Sequence, residues 1–226
     1  MHTLAEDLLL LALDDEDGVV AWQHAPALPY GLAGALLMDL ALLGRVTSVH
    51  EQIITLDPSP TGEAELDAAL ELMHGSDAVR LARHWVRQLG DQPGLTAQLA
   101  RRLVARGILR EQEHTFLWLF HSLRFPTSEP GREASVRDQI RALVLGSAAP
   151  DARTLMLLSL IYACKLTDDV FSREERVRAA RRIKDLVEHE QFGAAVGEAV
   201  ADTLVAITAA VNAAVFTVTV APGASH

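Results

Sequence analysis

The side chains best suited to chemistry in this sequence are arginines that crowd one segment. Between positions 80 and 110 a single acid, Asp91, accompanies Arg80, Arg83, Arg87, Arg101, Arg102, Arg106 and Arg110. Guanidinium groups donate paired hydrogen bonds to phosphate and carboxylate oxygens, which suits them to anion recognition. The segment therefore predicts a site that holds one anionic group.

The rest of the chain is acidic. No Lys or Arg precedes Arg45, and the 226 residues carry a formal net charge of -10. An average field of this sign repels long nucleic acid. Salt confines each charge's field to about 10 Å, so a local arginine cluster can still bind a small anion. We expect a phosphate-bearing headgroup or an anionic membrane surface as the partner, and no nucleic acid.

The same charge distribution supports a second interpretation. Acids crowd the first third of the chain, among them Glu6, Asp7 and Asp39. An acidic surface could hold a basic peptide tail through complementary charge. The alternative to a lipid-binding domain is therefore a protein-binding adaptor that uses an acidic surface and has no lipid specificity.

The sequence contains no recognisable catalytic set. His50-Glu51 lacks the second histidine of a zinc protease, and no Gly-x-Ser-x-Gly, phosphate-loop or dinucleotide motif occurs. The single cysteine, Cys164, lies in an apolar run and is interpreted as core, since free cysteines are usually buried. We expect a protein that is not an enzyme and has no metal or cofactor, in a reducing compartment such as the cytoplasm.

The elements that position these side chains are predicted to be mainly helices. Ala and Leu dominate and only 5% of residues are aromatic, which favours helices over a sheet sandwich. We predict a single domain over residues 1–226 around a buried apolar helix, with a tail from about 217 to 226. An N-terminal helix capped by Thr3 and Glu6 precedes predicted strands at 19–22 and 46–56, and helices at 30–43, 63–73, 77–90, 95–106, 129–145, 151–167, 173–190 and 193–216.

A hairpin is predicted over residues 108–124, and its second half is unusually apolar. Five large apolar residues follow one another, namely Phe116, Leu117, Trp118, Leu119 and Phe120. Strand alternation buries only half of such a run, so it is either covered on both faces or exposed for a contact. Core packing and a membrane or subunit contact both remain open at this point.

Two apolar segments bear on membrane attachment. Glu6 and Asp7 precede the run Leu8 to Leu13, where a signal peptide needs positive charge. Thr203 to Ala221 carries no charge, but it is mostly Ala, Val and Thr, which predicts a buried C-terminal helix rather than a membrane span. We expect a cytoplasmic protein, either soluble or peripheral on the cytosolic face of a membrane.

The order and spacing of several motifs resemble the Golgi phosphoprotein 3 family over nearly the whole chain. The motifs run from Leu4 to Gly18, from Gly31 to Arg45, from Pro60 to Leu70, from Leu103 to Leu109 and from Leu157 to Tyr162. The resemblance implies a mostly helical domain with a projecting β-hairpin. It implies a peripheral membrane protein that binds phosphatidylinositol 4-phosphate. In eukaryotic members the domain is also an adaptor for cytosolic tails of Golgi glycosyltransferases, and it self-associates through the hairpin.

The resemblance also implies where the headgroup is bound. The family's tryptophan before the Gly31 to Gly34 motif corresponds to Trp22. Three arginine positions of the family site hold Ala33, Pro93 and Thr96 in this chain. Specificity for phosphatidylinositol 4-phosphate is therefore not carried over residue by residue.

Other arginines are assigned to the site in their place. Arg101 occupies a position beside the family site that is also basic in the family. Arg83 and Arg87 come from the neighbouring predicted helix. We assign headgroup contact to Trp22, Arg83, Arg87 and Arg101, and membrane insertion or homo-oligomer formation to the hairpin run from Phe116 to Phe120.

Overall fold

A computed structural model of the chain describes residues 2–14, 17–76, 78–116, 120–149, 151–188 and 198–220, and of 114–116, 120–122, 130, 187–188, 198–199 and 220 the backbone alone. Ten helices occur among these residues, in agreement with the predicted mainly helical fold. The helices are α1 (Leu4–Ala12), α2 (Leu28–Leu42), α3 (Ala64–His74), α4 (Ala82–Gly90), α5 (Leu95–Ala105), α6 (Pro130–Val144), α7 (Ala152–Ala163), α8 (Thr167–Val170), α9 (Arg176–Glu188) and α10 (Glu198–Val220). The strands are β1 (Val46–Val49), β2 (Gln52–Thr55), β3 (Arg80–Leu81), β4 (Gln112–Phe116) and β5 (Phe120–Arg124).

Helix α2 is the central element, and it packs against α1, α3, α4, α5, α7 and α10. Its sequence is apolar nearly all round, as expected for a helix covered on every side. Gly34 lets α10 approach closely, because a Cβ at this position would overlap the side chain of Val211. Gly31 does the same for Cys164, which is 1% exposed. The cysteine is core, as predicted, and burial raises the pKa of its thiol to about 12.

The N-terminal helix begins as predicted. The Thr3 hydroxyl accepts a hydrogen bond from the Glu6 amide at 3.1 Å, and the Glu6 carboxylate accepts one from the Thr3 amide at 2.9 Å. This capping box satisfies two backbone donors at the helix start. Every residue of α1 is buried, including Glu6 and Asp7.

Strands β1 and β2 form a hairpin through a tight turn at His50 and Glu51, which have φ of 51° and 63°. The turn confirms the two strands predicted within 46–56. Strand β3 adds antiparallel to β2, with Gln52 paired to Leu81. The helix predicted to begin at 77 therefore begins at Ala82, whose amide donates to the Glu51 carbonyl at 2.8 Å. Arg80 and Leu81, which helical periodicity assigns to α4, instead form strand β3 at the edge of the sheet.

Strands β4 and β5 form a hairpin within the predicted segment, with Gln112 paired to Arg124 and Phe116 to Phe120. The polar turn that the sequence predicts near Glu113 and His114 was wrong, because both residues lie in β4 and pair with Leu123 and Ser122. Its base is held by a bridge between Leu109 and Thr127. The Phe125 amide also donates to the Gly18 carbonyl at 2.8 Å. Leu117, Trp118 and Leu119 lie outside the described residues, so the alternatives for the apolar run stay open.

Other boundaries differ from the predictions. The strand predicted at 19–22 is reduced to one bridge between Leu13 and Val20. The helix predicted over 151–167 ends at Ala163, because Lys165 takes φ of 61°, and the separate α8 follows. Helix α10 continues to Val220, so residues 217–220 belong to the helix and not to the predicted tail.

Candidate functional site

The arginines of residues 80–110 do not form one patch. Arg102 lies on α5 and Arg106 directly follows the helix, and both face the protein interior. Arg102 Nε is 3.0 Å from one Glu6 oxygen, and Arg106 Nη1 is 3.0 Å from the other. Arg102 also pairs with Glu63 and Glu65. These two arginines balance acids that are buried or largely buried, so the prediction of a single basic surface was wrong for Arg102 and Arg106.

The interior contains a set of paired charges that we call the buried ion cluster. Glu6 and Asp39 are 0% exposed and Asp7 is 3% exposed. Asp7 pairs with Arg132 and Arg153, and Arg153 Nη2 is 2.8 Å from its carboxylate. Asp39 accepts a hydrogen bond from the Leu4 amide at 2.6 Å. The cluster comprises Glu6, Asp7, Asp39, Arg102, Arg106, Arg132 and Arg153, and it ties α1 to α2, α5, α6 and α7.

Among the acids of the cluster, Asp39 has the fewest favourable contacts to offset the cost of burying its charge. Burial raises the pKa of its carboxyl to about 7, while the Leu4 amide and Arg153 lower it by less. Arg153 Nη1 is 3.5 Å away, which is too far for a strong ion pair. The folded protein therefore holds a proton on Asp39 at pH values where the unfolded chain has released it.

This difference predicts how stability depends on pH. Between pH 4 and pH 7 the folded state binds more protons than the unfolded state, so Asp39 lowers stability by about 1.4 kcal/mol per unit as pH rises. Asp39→Asn keeps an acceptor for the Leu4 amide and removes the titration. Relative to wild type, we expect this variant to gain roughly 3 kcal/mol of unfolding free energy between pH 5 and pH 8.

Urea unfolding at the two pH values measures that gain. Asp138→Asn provides a control, because Asp138 lies exposed on α6. An equal change for both variants between pH 5 and pH 8 would contradict the assignment to Asp39.

Five arginines of the segment are exposed, namely Arg80, Arg83, Arg87, Arg101 and Arg110, and Arg83 and Arg87 are the two that lie on α4. They lie one turn apart on α4, and both side chains are exposed. Neither has an acidic partner within ion-pair distance in the described part of the chain. Together with α10 they border a hollow of about 400 Å³, lined by Arg83, His84, Arg87, Ala210, Ala213, Ala214 and Thr217. Two free guanidinium groups beside an apolar wall can receive an anionic group that is attached to an apolar body.

Trp22, the tryptophan assigned to the headgroup site, lies in the segment that precedes α2. The tryptophan is 85% exposed, just before α2. The α2 start is joined to the end of α4 where Tyr30 Oη donates to Asp91 Oδ1 at 2.7 Å. This hydrogen bond raises the pKa of Tyr30. An exposed indole is typical of side chains that reside at a membrane interface.

Arg101 does not join this group. It lies on α5 with its Nε 3.6 Å from Glu111 Oε1, and its side chain is 55% exposed. It is not among the residues that line the hollow beside Arg83 and Arg87. The positions of the missing family arginines offer no substitute, because Ala33 is 0% exposed and Pro93 and Thr96 carry no charge.

Three of the acids expected on the acidic surface are not at the surface. Glu6, Asp7 and Asp39 were expected to contribute to a surface for a basic peptide, and all three are buried. Sequence reasoning missed this. The sequence did contain a signal for their burial, because Glu6 forms the capping box and Asp39 lies within the apolar run of α2. Among the described residues no group of three or more His, Cys, Asp or Glu is arranged to hold a metal ion.

Helix α10 is only partly buried, although the sequence predicts a buried C-terminal helix. It was predicted to be buried, and it does pack against α2, α4, α7 and β1. Its segment Val200–Thr219 is the one described helix long and apolar enough to cross a membrane, and 44% of that window is buried. A core helix passes the same test. The exposed remainder flanks Arg83 and Arg87.

Comparison with known proteins identifies the family of this chain. The family described as Golgi phosphoprotein 3 (GPP34) matches residues 4–207. The vacuolar protein sorting-associated protein 74 of Eremothecium gossypii is 26% identical over 224 residues, which cover 82% of this chain and 67% of the relative. The family match spans the motifs from Leu4 to Tyr162 and the first part of α10, up to residue 207. The chain belongs to the Golgi phosphoprotein 3 family.

Proposed function

We propose that this protein is a peripheral membrane protein that binds anionic lipid headgroups and has no catalytic activity. Arg83 and Arg87 receive the headgroup phosphate, and Trp22 enters the interface beside them. The observation that carries the proposal is the pairing of two exposed, unpartnered arginines with an apolar wall on α10. Membership of the family supports peripheral association with the cytosolic face of a membrane, which in eukaryotes is the Golgi membrane.

The binding is expected to follow headgroup charge more than headgroup identity. The family lipid is phosphatidylinositol 4-phosphate, but Ala33, Pro93 and Thr96 supply no guanidinium groups at the family positions. Specific phosphate recognition normally needs several convergent charge-assisted hydrogen bonds. With two arginines and no built pocket, the protein senses the surface density of negative charge.

Vesicle sedimentation tests the proposal. Wild-type protein should partition onto phosphatidylcholine vesicles that contain phosphatidylserine or phosphatidylinositol 4-phosphate, and not onto phosphatidylcholine alone. Each arginine at an anionic surface contributes about 1 kcal/mol, so Arg83→Gln with Arg87→Gln should lower the partition coefficient about thirtyfold. Trp22→Ser should also weaken binding.

A matched pair of substitutions controls for net charge. Arg178 and Arg182 are exposed on α9 and, in the described part of the chain, have no acidic partner within ion-pair distance. Arg178→Gln with Arg182→Gln removes the same charge from a different helix and should have a much smaller effect. Equal losses for the two double variants would show that net charge alone governs binding, and absence of wild-type binding to every vesicle would reject the proposal.

Headgroup selectivity is a separate prediction. At matched surface charge, vesicles with phosphatidylserine and vesicles with phosphatidylinositol 4-phosphate should bind the protein with affinities that agree within about threefold, because charge density dominates. Titrating both lipids at equal zeta potential measures this ratio. A preference of a hundredfold for phosphatidylinositol 4-phosphate would contradict the prediction and point to an intact specific site.

A further inference from the structure

The exposed side of α10 carries an apolar stripe. Val205 is 62% exposed and Phe216 is 66% exposed, and Ala209 and Ala213 are exposed between them. These positions recur every three or four residues, so they share one face of the helix. At 1.5 Å per residue the stripe is about 16 Å long. Large side chains at its ends and small ones in its middle suit close packing against another helix.

A continuous groove follows this stripe, and we call it the α10 groove. It consists of hollows of about 490, 180 and 400 Å³. The first two share Ala206 and Ala209, and the last two share Arg83, Ala210 and Ala213. One wall is α10 throughout, and the other passes from the β1–β2 turn to α4.

Acidic side chains extend toward one end of the groove and basic side chains toward the other, while Glu51 and Arg83 both also border the middle hollow. Glu51 and Asp202 border the hollow at the N-terminal end of α10. Arg83 and Arg87 border the hollow at the other end. All four side chains are exposed, and none has an oppositely charged partner within ion-pair distance among the described residues. His50 lies at the acidic end and His84 at the basic end.

We propose that the exposed stripe of α10 and the wall beside it form a self-association surface, on which α10 of a second copy of this chain packs across α10 in antiparallel orientation. A two-fold axis perpendicular to α10 at Ala209 places residue 205 opposite residue 213 of the partner, and residue 202 opposite residue 216. Val205 then packs against a small residue, as in ridge-and-groove packing. The contact is isologous, so each interaction occurs twice.

The same rotation brings opposite charges together. The rotation places the groove wall of one copy over the groove wall of the other. The two walls then run in opposite directions along the helix. The acidic end, with Glu51 and Asp202, therefore meets the partner's basic end, and this happens at both ends of the contact. A parallel arrangement would separate the walls and lose the charge pairing. Complementary charge thus selects one orientation.

The size of the face predicts a weak dimer. A helix of 20 residues with one flanking wall offers an area about 30 Å by about 20 Å, or about 600 Å² per copy. Stable interfaces bury about 800 Å² per partner, so this contact falls at the low end. We expect dissociation in the micromolar range and weakening by salt.

Self-association and headgroup binding would compete, because both use Arg83 and Arg87. The dimer does not depend on lipid binding, and the two proposals fail separately. Trp22→Ser should reduce vesicle binding and leave the dimer intact. Glu51→Arg with Asp202→Arg should abolish the homodimer and leave vesicle binding undiminished.

Analytical ultracentrifugation tests the dimer with two charge-reversal variants. Protein concentrations between 1 and 200 µM suit the expected micromolar dissociation constant, which corresponds to about -8 kcal/mol. Glu51→Arg with Asp202→Arg should be monomeric at 100 µM, and Arg83→Glu with Arg87→Glu should be monomeric as well. An equimolar mixture of the two should form a heterodimer, because each now complements the other. Circular dichroism verifies that both variants are folded.

Three results would overturn the inference. The first is a wild-type protein that stays monomeric at 200 µM, and the second is a mixture of the variants that fails to associate. The third is a wild-type dimer whose dissociation constant does not change with either charge reversal, since the contact would then lie elsewhere, for example at the β4–β5 hairpin. Each result is independent of whether the protein binds vesicles.

Discussion

Replacement of Arg102 with alanine is expected to lower the free energy of unfolding by about 3 kcal/mol. The guanidinium group is 12% exposed and contacts Glu6, Glu63 and Glu65. Removing it leaves the fully buried Glu6 carboxylate with less compensation, and an uncompensated buried charge is among the most destabilising changes in a protein. The expected value lies at the low end of the usual range, because Arg106 remains 3.0 Å from the same carboxylate.

The neighbouring residue gives a matched control for this prediction. Arg101 lies on the same helix but is 55% exposed, and its contact with Glu111 is 3.6 Å long. Exposed ion pairs contribute about 0–1 kcal/mol, so Arg101→Ala should change the unfolding free energy by less than about 0.5 kcal/mol. Urea unfolding of both variants at pH 7 measures the difference. Similar values for the two would show that Arg102 is not part of a buried cluster.

A second substitution at Arg102 separates the effect of its positive charge from the effect of the shape of its guanidinium group. Arg102→Lys keeps a positive charge but offers one ammonium in place of a planar group that reaches three carboxylates. We expect it to recover less than half of the stability lost in Arg102→Ala. Full recovery would mean that charge alone is sufficient at this position.

The contrast between Arg102 and Arg87 explains how far sequence reasoning could go. On α5, Leu95, Leu99 and Leu103 are buried at the spacing that helical periodicity indicates. Periodicity does not say what lies opposite a polar face, and Arg102 faces Glu6, which is distant in sequence. The N-terminal acids and the α5 arginines were both visible as unusual, but their mutual neutralisation is a tertiary fact.

The fold was more predictable than the site because its signals are local. The Thr3–Glu6 capping box and the β1–β2 turn depend on neighbours within a few residues, and the structure contains both. The start of α4 was mispredicted because strand β3 needs its pairing partner β2, which comes about thirty residues earlier, to be recognised. The α10 groove has no local signal beyond spaced small residues, since its other wall comes from α4 and the β1–β2 turn.

Glycine 18 should be as sensitive as Arg102, for a different reason. Gly18 has φ of 62°, and a Cβ there would overlap the backbone of Phe125 and Pro126. Its carbonyl accepts the Phe125 amide at 2.8 Å, which fixes the base of the β4–β5 hairpin. Gly18→Ala therefore combines strain of about 1 kcal/mol with an overlap of backbone atoms that costs about 1–3 kcal/mol. We expect a total loss of about 3 kcal/mol.

Gly44 separates these two contributions. It has φ of 65°, close to that of Gly18, but a Cβ at Gly44 would meet nothing within 4 Å. Gly44→Ala should therefore cost only the strain of about 1 kcal/mol. Urea unfolding gives both losses, and limited proteolysis should cut the hairpin faster in Gly18→Ala alone, because only that substitution displaces the hairpin base. Equal losses in the two variants would mean that backbone strain accounts for the whole effect and that the Gly18 contact does not anchor the hairpin.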